Sequence, residues 1–123
     1  MLSKEKNINS TTWSAPAILY KIVTAENWAK TKSSDRVWLD ASDEKFIHFS
    51  TEDQWKDVAE NKYSDTDWVL LKIDTTKLSG KWEWEWNTKQ TDKWFHLYNG
   101  WIPKAAVIDW KKSWDPDWTE LYE

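Results

Sequence analysis

The chain of 123 residues contains no cysteine, one methionine and only two glycines and two histidines. The absence of cysteine excludes disulfide bonds, thiolate catalysis and thiolate metal sites, and it favours a reducing compartment. No apolar run approaches the length of a membrane span, and the first residues lack the apolar region of a signal peptide. We therefore expect a cytoplasmic protein that does not bind membranes.

The charges are mixed along the chain, with a formal net charge of −4. Because Lys and Arg are spread among Asp and Glu and are not clustered, no basic stripe is present to follow a phosphate backbone, and we predict no binding to nucleic acid. The length and the 40% apolar content indicate one globular domain. We assign it to residues 17–123, after a loose polar arm of residues 1–16 and with a C-terminal extension from about 111.

Tryptophan is abundant, with 13 residues. A domain of this size cannot bury so many indoles with every N–H satisfied, so we predict that some are partly exposed. Packing in and around the core is the ordinary interpretation. The alternative is an aromatic surface that binds a sugar, a nucleobase or a partner protein, with Trp84 and Trp86 as its anchors.

The apolar patterns predict a fold of the α+β class. Thr24 is expected to cap a first helix, and Thr51 with Gln54 forms a capping box for a second helix over about 52–62. Residues 81–86 alternate, which places three indoles on one face of a strand and Lys81 with two carboxylates on the other. The other predicted strands are 18–23, 45–49, 68–74, 94–98 and 105–110, with 37–39 as a strand or turn and a helical turn after Asp115. Together they predict a curved, mainly antiparallel split sheet of six to seven strands with two helices in the N-terminal half.

The two histidines are the main candidates for proton-coupled chemistry. His48 lies in the segment 46–51 and His96 in the segment 95–100, and both segments are rich in aromatic, hydroxyl and amide groups. We expect the two to converge on one cleft. Because His48, Ser50 and Thr51 precede the predicted second helix, its free amides would favour a bound anion there.

The order of these motifs resembles the DUF952 family over roughly residues 18–110. The matching segments are Leu19–Thr24, Phe46–Thr51, Val69–Asp74, Trp82–Glu83 and Phe95–Tyr98 followed by a glycine. The family has no established activity, and the resemblance implies an ADP-ribosyltransferase-like fold, whose cleft holds NAD in active relatives. This chain has Lys21 where some members carry a histidine, and a lysine there would contact a phosphate or carboxylate instead.

The expected cofactor or ligand is unidentified, with NAD or an ADP-ribose-like molecule as candidates. If a reaction is catalysed, Glu83 is the candidate acid, and His48 and His96 would hold the substrate. No metal site is predicted, because neither histidine has a second ligand at close helical spacing. The predicted ligand-binding residues are Lys21, His48, Ser50, Thr51, His96 and Tyr98.

Three functions agree with these residues. The first is binding of a nucleotide-like or other small anionic ligand in the cleft, against an aromatic wall from Trp82 or Trp94. The second is a protein-interaction module that uses exposed tryptophans, and the third is an ADP-ribosyl transferase. Binding requires fewer special residues than catalysis, so we favour it. The sequence carries no indication of an oligomeric state.

Overall fold

The computed structural model describes residues 14–115 and 119–120. Within them it confirms the α+β class, the two helices and the antiparallel strands. The helices are α1 (Ala25–Lys32) and α2 (Trp55–Lys62). The strands are β1 (Ile18–Thr24), β2 (Ile47–Phe49), β3 (Trp68–Asp74), β4 (Lys81–Trp86), β5 (Lys93–Tyr98), β6 (Val107–Lys112) and the two-residue β7 (Thr119–Glu120).

The strands form two sheets, with the orders β1-β3-β6-β7 and β2-β5-β4. All neighbouring strands are antiparallel. The sheets meet at an isolated bridge between Tyr20 of β1 and Ser50 just after β2, whose two backbone N–H···O distances are both 2.8 Å. The predicted splitting of the sheet therefore occurs between β1 and β2.

Strand β3 is buried on both faces, which explains its unbroken apolar run. Val69, Leu71 and Ile73 pack into the main core, which also contains Trp28 of α1. Leu70 points to the other face, where it packs in a second cluster with residues of α2. The two helices thus cover opposite faces of the first sheet.

Helix α2 begins at Trp55, three residues later than the capping box predicts. Only half of the box forms: the Gln54 side chain accepts a hydrogen bond from the Thr51 amide at 3.0 Å, while residues 52–54 form a turn. The Gln54 amide group also donates to the Lys93 carbonyl of β5 at 2.7 Å, which fixes this turn against the second sheet. The predicted cap of α1 is confirmed, since Thr24 Oγ1 accepts from the Asn27 amide at 3.1 Å.

Two strands differ from their predicted bounds by two residues at an end, and two others by a single residue. Strand β2 is shorter, because residues 44–46 form a bend, and β6 starts at Val107, because Lys104–Ala106 form a 3₁₀ turn. Residues 37–39 form no strand, although the Val37 amide donates to the Ile102 carbonyl at 2.9 Å. Most of the predicted arm, and residues 116–118 and 121–123 of the predicted C-terminal helical turn, lie outside the described residues. Residues 119–120 of that turn form a strand instead.

The prediction of partly exposed tryptophans is confirmed. Trp38, Trp86, Trp101 and Trp114 are 43–56% exposed, whereas Trp28 is buried. No helix among the described residues is long and apolar enough to cross a membrane.

Gly80 lies just before β4, and Gly100 lies just after β5. Gly80 has a φ of +134°, and a Cβ atom there would lie 2.7 Å from the Tyr98 carbonyl oxygen and 3.2 Å from the Gly100 Cα. The scarce glycines are therefore used where two backbone segments approach most closely.

We expect Gly80→Ala to destabilise the protein by about 1–3 kcal/mol, since the new side chain meets both an unfavourable φ and the Tyr98 carbonyl. Urea unfolding at pH 7 measures this. The control is Ser79→Ala, at the exposed position just before it, which should leave the midpoint unchanged. Equal midpoints for the two variants would contradict the close approach.

Candidate functional site

The register of β2 and β5 places the two histidines directly opposite each other. The ring centroids of His48 and His96 are 5.0 Å apart, with the planes at 75°. Both rings line one cavity of about 460 Å³, which we call the histidine cavity. Its lining is Lys21, Ile22, Phe46, His48, Phe49, Ser50, Val58, Lys62, Tyr63, Trp86, Asn87, Thr88, Trp94 and His96.

His48 is held by a buried carboxylate, that of Asp43. Asp43 Oδ1 accepts hydrogen bonds from the His48 backbone N–H at 2.9 Å and from its ring Nδ1 at 3.0 Å. The same oxygen pairs with Lys21 Nζ at 2.9 Å, and Lys21 also donates to the His48 carbonyl at 2.7 Å. Asp43 lies in the 3₁₀ turn Ala41–Asp43, so these contacts join β1, this turn and β2.

The pKa values of this buried group follow from its contacts. Burial alone would raise the pKa of Asp43, but the hydrogen bonds from His48 and the charge of Lys21 outweigh burial and hold that pKa far below its usual range. Burial lowers the pKa of Lys21, although Asp43 opposes the shift. Lys21 was expected to contact a phosphate or a carboxylate, and the structure shows that it contacts the carboxylate of Asp43.

His96 is held by a second carboxylate, that of Glu85 on β4. Glu85 Oε1 lies 2.6 Å from His96 Nδ1 and accepts from the Tyr98 hydroxyl at 2.7 Å. Glu83, the residue singled out from the sequence, is the direct cross-strand neighbour of His96, but its carboxylate pairs with Lys81 at 3.1 Å. The carboxylate in contact with the histidine is therefore the diagonal neighbour, which a long side chain can reach.

The contacts among Glu85, His96 and Tyr98 also shift the pKa values of these three residues. Burial favours a higher pKa for Glu85, but the hydrogen bonds from His96 and Tyr98 more than compensate, and the pKa is lowered. Burial lowers the pKa of His96, and the hydrogen bond to Glu85 opposes this. Desolvation, together with the bond to Glu85, raises the pKa of Tyr98 to about 12.

The two carboxylates define the tautomer of each ring. An ionised carboxylate only accepts hydrogen bonds, so Nδ1 of each histidine donates and carries the proton. In a neutral ring the Nε2 atom then holds the lone pair, and none of the described residues hydrogen-bonds to Nε2 of His48 or His96. Each histidine can therefore exchange a proton through Nε2.

Phe46 packs over the histidine pair. Its ring centroid lies 4.3 Å from that of His96, 4.8 Å from that of His48 and 4.9 Å from that of Tyr98. The ring shields part of this polar group from water, which strengthens the electrostatic contacts beneath it.

The structure brings together four of the residues proposed from sequence, namely Lys21, His48, Ser50 and His96. Thr51 and Tyr98 do not line the cavity: Thr51 lies just before the turn that precedes α2, and the Tyr98 hydroxyl donates to Glu85. The helix start expected just after Thr51 is wrong, because α2 begins only at Trp55, while binding of an anion beside His48 and Ser50 stays a prediction.

Of the two proposed aromatic walls, Trp94 lines the cavity. Trp82 does not: it is buried in the core against Phe49, with ring centroids 4.9 Å apart. Sequence reasoning also missed Asp43 and Glu85. Alternation along β4 places Glu85 on the same face as Glu83, so the sequence did indicate that Glu85 could reach the histidine. Asp43 lies in a short turn, where no periodic pattern indicates which way a side chain points.

No group of three or more His, Cys, Asp or Glu side chains among the described residues is arranged to hold a metal ion. The described residues that line the histidine cavity include no Asp or Glu. Two lysines, two imidazoles, hydroxyl groups and aromatic rings suit an anion better than a cation.

Comparison with known proteins identifies the family to which the chain belongs. The model of a family described as protein of unknown function (DUF952) matches residues 22–110, so the chain belongs to that family. No match to this sequence was found among curated proteins.

Two crystal structures of protein CC0527 from Caulobacter crescentus are similar in fold. One has 24% sequence identity and a TM-score of 0.65, and a double-mutant form has 23% and 0.64. Each match covers 77% of this chain and 84% of the other.

We expect Asp43→Asn to cost about 3–5 kcal/mol at pH 7, because it leaves the buried ammonium of Lys21 without a counter-charge. The stability difference from wild type should shrink below about pH 4, since the folded-state pKa of Asp43 is depressed and its contribution is lost as the carboxylate protonates. Urea unfolding at pH 7 and pH 3 measures both effects. Combining the change with Lys21→Met should recover part of the loss, and strictly additive losses would argue against the pair.

We expect Glu85→Gln to lower the pKa of His96 further, because burial then acts without the opposing carboxylate. NMR titration of the imidazole signals measures this shift. Glu83→Gln is the matched control, on the same strand and face, and should change that pKa less. A larger effect from Glu83→Gln would mean that Glu83 is the true partner.

Proposed function

We propose that this protein binds a small anionic, nucleotide-like ligand in the histidine cavity. The observation that supports this most directly is the pair of imidazoles on the wall of a cavity that Lys21 and Lys62 also line, with no carboxylate among its described lining residues. The ammonium of Lys62 and a protonated imidazole, through its Nε2–H, are donors for phosphate oxygens, and Ser50 adds a hydroxyl, whereas the charge of Lys21 is already paired with Asp43.

The remaining lining favours a ligand with a flat ring. Phe46, Tyr63, Trp86 and Trp94 offer aromatic faces on which a base or nicotinamide could stack. The volume of about 460 Å³ is in the range of small-molecule sites. We therefore favour a ligand that combines a phosphate with a planar ring.

An NAD-derived ligand is the specific form of this proposal. It rests on the implied ADP-ribosyltransferase-like fold, with which a sheet split beside a cavity is consistent. Transfer of ADP-ribose is a weaker candidate than binding, because Glu83 contacts Lys81 and does not line the cavity. A reducing, cytoplasmic location remains part of the same proposal.

A protein-interaction surface is the second candidate. Trp38 and Trp101 are 46% and 43% exposed and line one shallow groove with Arg36, whose guanidinium lies 4.4 Å from the Trp101 ring centroid. Tryptophan and arginine are frequent at the centres of interfaces. Trp86 cannot separate the two candidates, because it lines the histidine cavity.

The test is a thermal-shift and NMR titration with NAD, ADP-ribose, AMP, nicotinamide and a neutral sugar. We expect the phosphate-bearing ligands to raise Tm by several degrees near saturation and to shift signals of the cavity residues. His48→Ala should abolish the response, whereas Trp101→Ala, on the other surface, should retain it. No response to any phosphate-bearing ligand from the folded wild-type protein would refute the proposal.

A further inference from the structure

We propose that His48 and His96 act as a general acid–base pair that hydrolyses a phosphate ester held in the histidine cavity. This inference rests on the anion binding proposed above and adds a reaction to it. The two carboxylate–histidine pairs and the cavity that both rings line support it.

Each histidine is oriented by a contact that leaves one nitrogen for chemistry. Asp43 holds Nδ1 of His48 at 3.0 Å, and Glu85 holds Nδ1 of His96 at 2.6 Å. Both carboxylates have further donors, from Lys21 and Tyr98, that keep them ionised. The rings are thereby fixed in one tautomer, and proton transfer takes place at Nε2.

The two rings differ in environment, which separates their roles. The His48 side chain is 44% exposed, whereas that of His96 is 6% exposed. With the centroids 5.0 Å apart, a positive charge on one ring disfavours a second on the other. We therefore assign the buried His96 as the base and the exposed His48 as the acid, the division of roles that acid–base catalysis needs.

The charges that surround the pair support this assignment. His96 faces Glu85 from β4 and the charges of His48 and Lys21 from the other side, and its burial lowers its pKa. His48 faces Asp43, which also pairs with Lys21. Burial of His96 thus favours its neutral form, which a base requires.

A phosphate ester is the substrate class that fits these groups. The ammonium of Lys62 and the donors of the cavity can stabilise charge on non-bridging phosphate oxygens. An alkoxide or phenoxide leaving group needs a proton as its bond to phosphorus breaks, which an acid on the same cavity wall can supply.

The reaction balances with water as the only co-reactant. The water oxygen forms a bond to phosphorus while Nε2 of His96 takes a proton from that water. The bond from phosphorus to the leaving oxygen breaks, and Nε2 of His48 gives its proton to that oxygen. A diester yields a monoester and an alcohol, and proton transfer from His96 to His48 through solvent restores the starting state.

The test measures release of phenol from diphenyl phosphate and from phenyl phosphate, whose phenoxide leaving group needs an acid, by the intact 123-residue chain with EDTA present. We expect a bell-shaped pH profile of kcat/KM, from one base and one acid. His48→Gln and His96→Gln should each lower kcat by about 10²–10⁴-fold. His48→Ala and His96→Ala provide second variants if a glutamine variant does not fold.

A separate measurement tests whether Glu85 positions His96. Glu85→Gln should lower kcat and move the acidic limb of the pH profile to lower pH, because the pKa of His96 falls when its partner loses charge. Glu83→Gln, which changes a carboxylate paired with Lys81, should leave the profile in place. A shift by Glu83→Gln and none by Glu85→Gln would overturn the role of Glu85.

The outcomes separate this inference from the binding proposal. Binding of ADP-ribose or inorganic phosphate without turnover of either ester overturns the acid–base pair and leaves ligand binding intact. Turnover that persists in both histidine variants, or a flat pH profile of the wild type, also overturns it. Absence of both binding and turnover refutes the proposed function itself.

Discussion

One carboxylate oxygen, Asp43 Oδ1, connects the parts of the chain on which the site depends. It accepts from Lys21 of β1 and from both the backbone and the ring of His48 in β2. With side chains only 2% and 6% exposed, Asp43 and Lys21 tolerate burial because each neutralises the other and its hydrogen bonds are satisfied. The short strand β2, which pairs over only three residues, is positioned from its outer side by this contact.

The second sheet supplies the matching contact from the opposite side. Glu85 reaches diagonally from β4 to His96 and Tyr98, while the backbone register of β2 and β5 brings the two imidazoles together. Neither histidine depends on its own strand alone for its orientation. The orientation of the two rings is therefore a property of β2, β4, β5 and the turn that carries Asp43.

Local patterns in the sequence were sufficient for much of this fold. The buried run of β3 and the alternation of β4 were predicted at their observed bounds, and the Thr24 cap was recognised, because each depends on neighbouring residues. Convergence of His48 and His96 was expected, but their direct pairing was not, because the two strands are far apart in sequence and no hairpin turn fixes their register. Asp43 was missed because it lies in a short 3₁₀ turn that no periodic pattern marks. Glu83 was preferred to Glu85 because it lies in the segment that resembles the family, whereas the contact of Glu85 with His96 is a diagonal one between strands.

The bridge between Tyr20 and Ser50 is the junction of the two sheets, which we call the seam. Backbone hydrogen bonds join the two sheets there, and Ser50 is at once part of that seam and of the cavity wall. A molecule bound against Ser50, Lys21 and His96 would touch both sheets at once and act as a clamp across the seam. A molecule bound in the cavity would then reduce opening of the backbone, first at the amides of residues 20 and 50 and then across the whole domain.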